Sequence, residues 1–222
     1  MAKYPVVVYG ASGYTGMLIM DWLIDQQIPF TAVARNAKRV QEMMAERVVR
    51  LESATYEIIE AEHNVAALTQ AFKGARVVCN TVGPFVNFGL TTVEAALEAG
   101  CHHIDTTGEQ GYIRSVRDRF GDLYAQAGLL VAPSTAYMYT FAEIAAELAL
   151  ETRGIDALET ATLCRGQRGG ASGVTVGSTA SIFELYRQEA CYLWEKQLVP
   201  YPAGTTANVI DPGFVQPVFS LP

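Results

Sequence analysis

The chain has 222 residues; half are hydrophobic, 18% are charged and 19 are glycine, which leaves ample apolar surface for a core and excludes wholesale disorder. The formal net charge of −7 and the pI near 5.0 argue against a nucleic-acid partner, because the longest basic cluster, Arg35, Lys38 and Arg39, suits a single phosphate better than a duplex. At roughly 150 residues to a domain, the length corresponds to one full domain and part of a second.

Short β-branched runs alternate with helical patterns from the N-terminus onward. Strands are expected over 5–9, 30–34, 56–59, 76–80, 103–105 and 129–132, and helices over 15–26, 38–47, 65–72 and 91–99. Between the fifth and sixth strands, Ile113, Val116, Phe120, Leu123 and Ala127 fall on one helical face. Parallel neighbours need a helical crossover and both sheet faces must be covered, so this rhythm predicts an α/β fold with a doubly wound parallel sheet over 1–135. Residues 136–222 are expected to form a partial second α/β domain, with a helix over 141–151, a strand over 158–164 and a helix over 182–198. Five of the nine prolines, Pro200, Pro202, Pro212, Pro217 and Pro222, then predict an irregular tail. This second part is too short to close a sheet; it is expected to pack on the first domain or a partner, or to be cut off within its domain.

The four cysteines, Cys79, Cys101, Cys164 and Cys191, contain no CxxC pair, and His63, His102 and His103 complete no zinc-ligand set. No metal is expected, and a reduced, cytoplasmic setting fits better than a disulfide framework. No apolar run approaches the roughly 18 residues that span a bilayer, and the valines at 6–8 are too few for a secretory signal, so no membrane partner is expected.

Between the first strand and the first helix lies Gly10-Ala11-Ser12-Gly13-Tyr14-Thr15-Gly16, with glycines at GxxGxxG spacing. In this context the first glycine allows a tight turn, the second lets backbone N–H groups approach a pyrophosphate, and the third lets helix and strand pack closely. The positive end of the helix then attracts the anion, with Ser12 and Thr15 as further donors. At the end of the second strand an NAD-specific site would carry an acid, but the chain reads Ala34-Arg35-Asn36-Ala37-Lys38-Arg39. A guanidinium forms forked bonds to a 2′-phosphate, so NADP(H) is the expected cofactor, with Arg35 and Asn36 as leading contacts and Lys38 or Arg39 in support. The other reading is a solvated helix start. Two more loops follow strand ends, Asn80-Thr81-Val82-Gly83-Pro84-Phe85 and Asp105-Thr106-Thr107-Gly108-Glu109. Ligands of open α/β sheets bind at that edge, which makes Asn80, Thr81, Val82, Gly83, Pro84, Thr107 and Gly108 candidate cofactor contacts.

These four motifs, in this order and at these strand ends, resemble the NADP-binding domain of the saccharopine dehydrogenase-like family, which includes saccharopine reductases and trans-acting enoyl reductases. The similarity covers about the first 135 residues. It implies a Rossmann domain followed by a substrate and dimerisation domain, hydride transfer with NADP(H), a small-molecule substrate that is an imine or an activated double bond, and a homodimer. Family members are longer, so the chain is expected to stop inside the second domain.

Hydride transfer is the cofactor's own chemistry, so the protein must chiefly orient the reactants and supply or accept a proton. Tyr137 and Tyr139 follow the sixth strand and are the candidate catalytic donors, packing being the alternative for both. A competing signal is Tyr192 and Lys196, a YxxxK spacing that on a helix sets the lysine one turn from the tyrosine, as in short-chain carbonyl reductases. A third reading is a non-catalytic NADP-binding redox sensor.

Overall fold

A computed structural model describes residues 1–48, 50–155 and 158, and beyond them 179–180, 183, 187, 191–195, 197–201, 208–210 and 218–220. Six strands, β1 (Val6–Tyr9), β2 (Phe30–Ala34), β3 (Tyr56–Glu60), β4 (Val77–Asn80), β5 (His102–Asp105) and β6 (Val131–Ala132), form one sheet in the order β3-β2-β1-β4-β5-β6. Every pairing in it is parallel. The helices α1 (Tyr14–Asp25), α2 (Ala37–Arg47), α3 (Val65–Phe72), α4 (Phe85–Glu98) and α5 (Gln110–Gln126) make the crossovers, and α6 (Tyr137–Leu150) follows β6. The doubly wound α/β sheet expected from the alternation is the architecture observed.

The central strand β1 shows why the run of valines is continuous rather than alternating. Successive side chains point to opposite faces, and both faces of β1 are covered. Val7 and Tyr9 pack with Val78, Leu68, Phe72, Ala95 and Ala96 on the α3–α4 side. Val8 packs with Phe30, Ala32, Met20, Leu23, Val40 and Met44 on the α1–α2 side. A third cluster, Phe85, Val93, Tyr112, Val116, Phe120 and Tyr124, joins α4 to α5.

Several boundaries differ from the sequence pattern. Helix α4 starts at Phe85 instead of residue 91, its first N–H groups being taken by the Glu109 carboxylate, and within it Gly89 leaves room for the Tyr112 ring of α5 to pack against the backbone. Helix α6 starts at Tyr137, four residues early, so both candidate tyrosines lie in its first turn. The expected helix over 182–198 is overturned at its C-terminal half. There β7 (Cys191–Trp194) and β8 (Gln197–Pro200) form an antiparallel hairpin, turned at Glu195 with φ 47. The proline-rich tail also carries regular structure: β9 (Asn208–Ile210) pairs with β10 (Val218–Ser220), and Pro200 stands at the end of β8. The strand expected over 158–164 lies, apart from Leu158, outside the described residues.

Candidate functional site

The loop after β1 is built by close backbone contacts. Gly10 has φ +89, a conformation that favours glycine, and a Cβ there would sit 2.5 Å from Thr81 Oγ1. Thr81 in turn donates to the Tyr9 carbonyl at 2.9 Å, which ties the end of β4 to the glycine loop. Gly16 lies so close to the Gly10 carbonyl that a side chain would run into it, so α1 starts hard against the loop. The α1 N-terminus carries no side-chain cap and no acid in its first turn. Its first N–H groups therefore face a position suited to an anion.

In front of this loop lies a cavity of about 1160 Å³. Of the cofactor residues expected from the sequence, Gly10, Ser12, Gly13, Tyr14, Thr15, Arg35, Asn36, Thr81, Val82 and Gly83 line it. Ala11, Gly16, Lys38, Asn80, Pro84, Thr107 and Gly108 do not. Ala11 is fully buried beneath the loop. Lys38 is exposed and pairs with Glu42 at 3.8 Å, and Arg39 lines the cavity with Glu42, Met43, Glu46 and Arg47. Those five share one face of α2, a 3- and 4-residue spacing legible in the sequence once the helix is recognised. Asn36 is engaged locally, its Oδ1 accepting the Arg39 N–H at 2.9 Å as the N-cap of α2.

Tyr9, His63 and Phe88 also line the cavity, and no motif pointed to them. The Tyr9 hydroxyl and His63 Nδ1 share a 2.7 Å hydrogen bond, with the two rings stacked and Phe88 edge-on to the imidazole. Burial, and then the Arg35 charge, hold His63 below the ordinary histidine range, so the ring is neutral at pH 7. Burial pushes the Tyr9 phenol up to about 12.

The strand-end loops of β4 and β5 are joined behind the cavity by a buried polar network. Asn80 Oδ1 accepts the Val82 N–H at 2.9 Å and shapes the turn that leads to the cis Gly83–Pro84 peptide. Glu109, fully buried, accepts the Phe85 and Val86 N–H groups at 2.9 and 2.7 Å, capping α4 from another element. Asp105 accepts from the Thr107 and Ser134 N–H groups, both at 3.0 Å, and from the Tyr112 hydroxyl at 2.7 Å. Burial raises the Asp105 pKa, and those three hydrogen bonds oppose the rise. Ser134 adopts φ 67 and donates its hydroxyl to the Thr107 carbonyl at 2.9 Å, so β6 leaves the sheet laced to the β5 loop. Thr107 accepts the Glu109 N–H, a structural bond inside the loop.

Tyr139 comes down on the same loop: a Cβ on Gly108 would lie 2.9 Å from its hydroxyl. Burial raises the Tyr139 pKa, which keeps the phenol protonated at pH 7. The Tyr137 side chain lies outside the described residues. Tyr192 sits in β7, and Lys196 lies outside the described residues. A strand and its turn do not stack residues four apart as a helix does, so the helical YxxxK arrangement is lost. Strand β7 instead docks on α5, where the Gln110 carboxamide bonds both the N–H and the carbonyl of Cys191, at 2.8 and 3.2 Å.

The profile of a family described as NAD(P)H-binding matches residues 10–158, the span that holds the glycine loop, the cavity and the two strand-end loops. The chain belongs to this NAD(P)H-binding family. A second profile, of a family of unknown function (DUF5938), matches residues 140–222. Among curated relatives, this NAD(P)H-binding chain is 28% identical over 144 residues to the Lipid droplet localized protein of Caenorhabditis elegans, covering 62% of the chain and 34% of the relative. It is 27% identical over 186 residues to a protein of Mycobacterium tuberculosis provisionally named trans-acting enoyl reductase, covering 81% of the chain and 44% of that protein. It is 26% identical over 147 residues to the human Saccharopine dehydrogenase-like oxidoreductase, covering 60% of the chain and 34% of that protein. The chain thus spans less than half the length of these relatives. Its fold resembles that of apo saccharopine dehydrogenase (L-Glu forming) from Saccharomyces cerevisiae, with a TM-score of 0.51 at 16% identity, over 66% of this chain and 32% of that one. The resemblance carried by the four motifs agrees with these relatives.

The site's shape suits such a dinucleotide: an open helix N-terminus lies behind a close-packed glycine loop, Arg35 follows β2 and Arg39 stands in the first turn of α2.

Proposed function

We propose that the chain is the NADP(H)-binding part of an oxidoreductase of saccharopine dehydrogenase-like type, acting on an imine or an activated double bond. The observation that carries the cofactor choice is the pair Arg35 and Arg39, both lining the cavity where β2 ends and α2 begins. Two guanidiniums at that position suit a 2′-phosphate through charge-assisted bonds. The glycine loop and α1 N-terminus would hold the pyrophosphate, and Thr81, Val82 and Gly83 would form the wall beyond it. When bound, NADPH supplies the hydride. Tyr139, protonated and set against the β5 loop, is the candidate proton donor, with Tyr137 beside it in the first turn of α6.

We assign cofactor binding to residues 1–135 and substrate binding and homodimer contacts to 136–222, in a cytoplasmic setting. Among the described residues no helix is long and apolar enough to cross a membrane.

The test is calorimetric titration of the chain and of Arg35→Ala with NADPH and with NADH. NADPH is expected to bind at least about tenfold more tightly than it does to the variant, with NADH changed by less than about twofold, since a charge-assisted phosphate contact contributes about 1.5–3 kcal/mol. Failure of both nucleotides to bind, or equal losses for both on removing Arg35, refutes the assignment.

A further inference from the structure

A carboxylate from the neighbouring strand caps the first turn of α2, directly after the cavity-lining Arg35 and Asn36, while not lining the cavity itself. In the parallel register Ala34 of β2 pairs with Glu60 of β3. From there the Glu60 carboxylate accepts the N–H of Ala37, the first residue of α2, at 2.9 Å. Asn36 Oδ1 takes the Arg39 N–H in the same turn. Two of the donors that a helix start offers to an anion are therefore satisfied by the chain's own groups. The contrast with α1, whose first turn has no side-chain cap and no acid, is direct.

The consequence differs for the two cofactors. A 2′-phosphate at the end of β2 must rely on the Arg35 and Arg39 side chains, and it meets a like charge already seated on α2. A ribose with a free 2′-hydroxyl brings no charge to that turn, and a carboxylate readily accepts a hydrogen bond from a hydroxyl. We propose that Glu60 is a specificity-determining residue that lowers the preference for NADP(H) set by Arg35 and Arg39, so that the chain also accepts NAD(H). The inference rests on reading the cavity as the NADP(H) site.

The test uses Glu60→Gln in the full chain. The carboxamide keeps an acceptor oxygen for the Ala37 N–H while removing the charge, and a thermal melt within about 2 °C of the parent shows that α2 keeps its start. NADPH and NADH are titrated against the parent, Glu60→Gln and Arg35→Ala. Glu60→Gln is expected to tighten NADPH by about three- to tenfold and to leave NADH unchanged or weaker, with the gain shrinking in about 0.5 M salt, as an exposed charge effect must. An unchanged ratio, or equal shifts for both nucleotides, overturns the role of Glu60. The Arg35→Ala arm separates the two claims: if that variant loses the NADPH preference while Glu60→Gln leaves the ratio untouched, the cofactor reading stands and only Glu60 falls. If Arg35→Ala leaves the ratio unchanged, or neither nucleotide binds the parent, the cofactor reading and the Glu60 inference fall together.

Discussion

Replacing Glu109 by glutamine removes a charge that no solvent can reach and that two backbone donors share. The parent carboxylate takes the Phe85 and Val86 N–H groups at 2.9 and 2.7 Å, one on each oxygen. A glutamine keeps one carbonyl oxygen for one of these donors and turns an amide N–H₂ toward the other. One charge-assisted bond is lost, a backbone donor is left buried without a partner, and the positive end of α4 loses its anion. Taken together at about 1.5–3 kcal/mol for the bond, with a further fraction from the helix dipole, the cost is about 3 kcal/mol. In a chain of this length that lowers the melting temperature by about 6–12 °C. Thermal and urea unfolding followed by far-UV circular dichroism measures it. A melting temperature within about 1 °C of the parent would show that the cap contributes nothing and that the β4–β5 loops are held by other contacts.

His103 of β5 is fully buried, and neither ring nitrogen has a hydrogen-bond partner among the described residues. It stands 3.9 Å from Asp105, but burial pushes its pKa down to about 3, so the pair is not an ion pair at neutral pH. The depressed value makes its contribution to stability complete above the unfolded pKa of about 6.5 and lost as the pH falls toward 3, in total of order 4 kcal/mol. The raised Asp105 pKa acts with the opposite sign, costing stability as pH rises above the unfolded value. Urea midpoints at pH 7 and 4.5 are expected to fall steeply for the parent and much less for His103→Leu; equal slopes would count against the assignment. Gly16→Ala places a methyl against the Gly10 carbonyl and is expected to cost about 1–3 kcal/mol and to weaken NADPH binding, whereas Gly121→Ala on α5 enters open space and gains about 0.5–1 kcal/mol. Melting curves of the two variants that move in the same direction would refute the packing argument.

The residues that sequence reasoning found and missed divide by the range of the interactions involved. Gly10, Gly13, Thr15 and Arg35 were legible because local features announce them: a glycine pattern between a strand and a helix, and a basic residue at a strand end. Of Lys38 and Arg39, the two supporting residues the sequence offers, only Arg39 lines the cavity, since charge alone does not say which face of α2 meets it. Tyr9 of β1, His63 of the loop between β3 and α3, and Phe88 of α4 meet only in the folded chain. Glu60 reads as the polar end of a strand until the β2–β3 register sets it beside Ala34. The YxxxK spacing misled for the opposite reason: its meaning depends on helical geometry, and residues 191–194 pair instead with 197–200 as a hairpin.

By itself, then, the order of apolar runs determined a parallel six-stranded sheet, because periods of 2 and 3.6 and the need to cover both faces are local constraints written into the chain. The glycine loop and its chemistry belong to the same category, being short-range backbone geometry. Tertiary structure alone decided which charges share the cofactor cavity, that α4 is capped by a glutamate 24 residues away, and that the residues following α6 include strands in place of the expected helix. Those outcomes depend on burial and on distances between elements remote in sequence. A carboxylate's partner and a helix's true start are set by what packs against them, and no spacing along the chain records that.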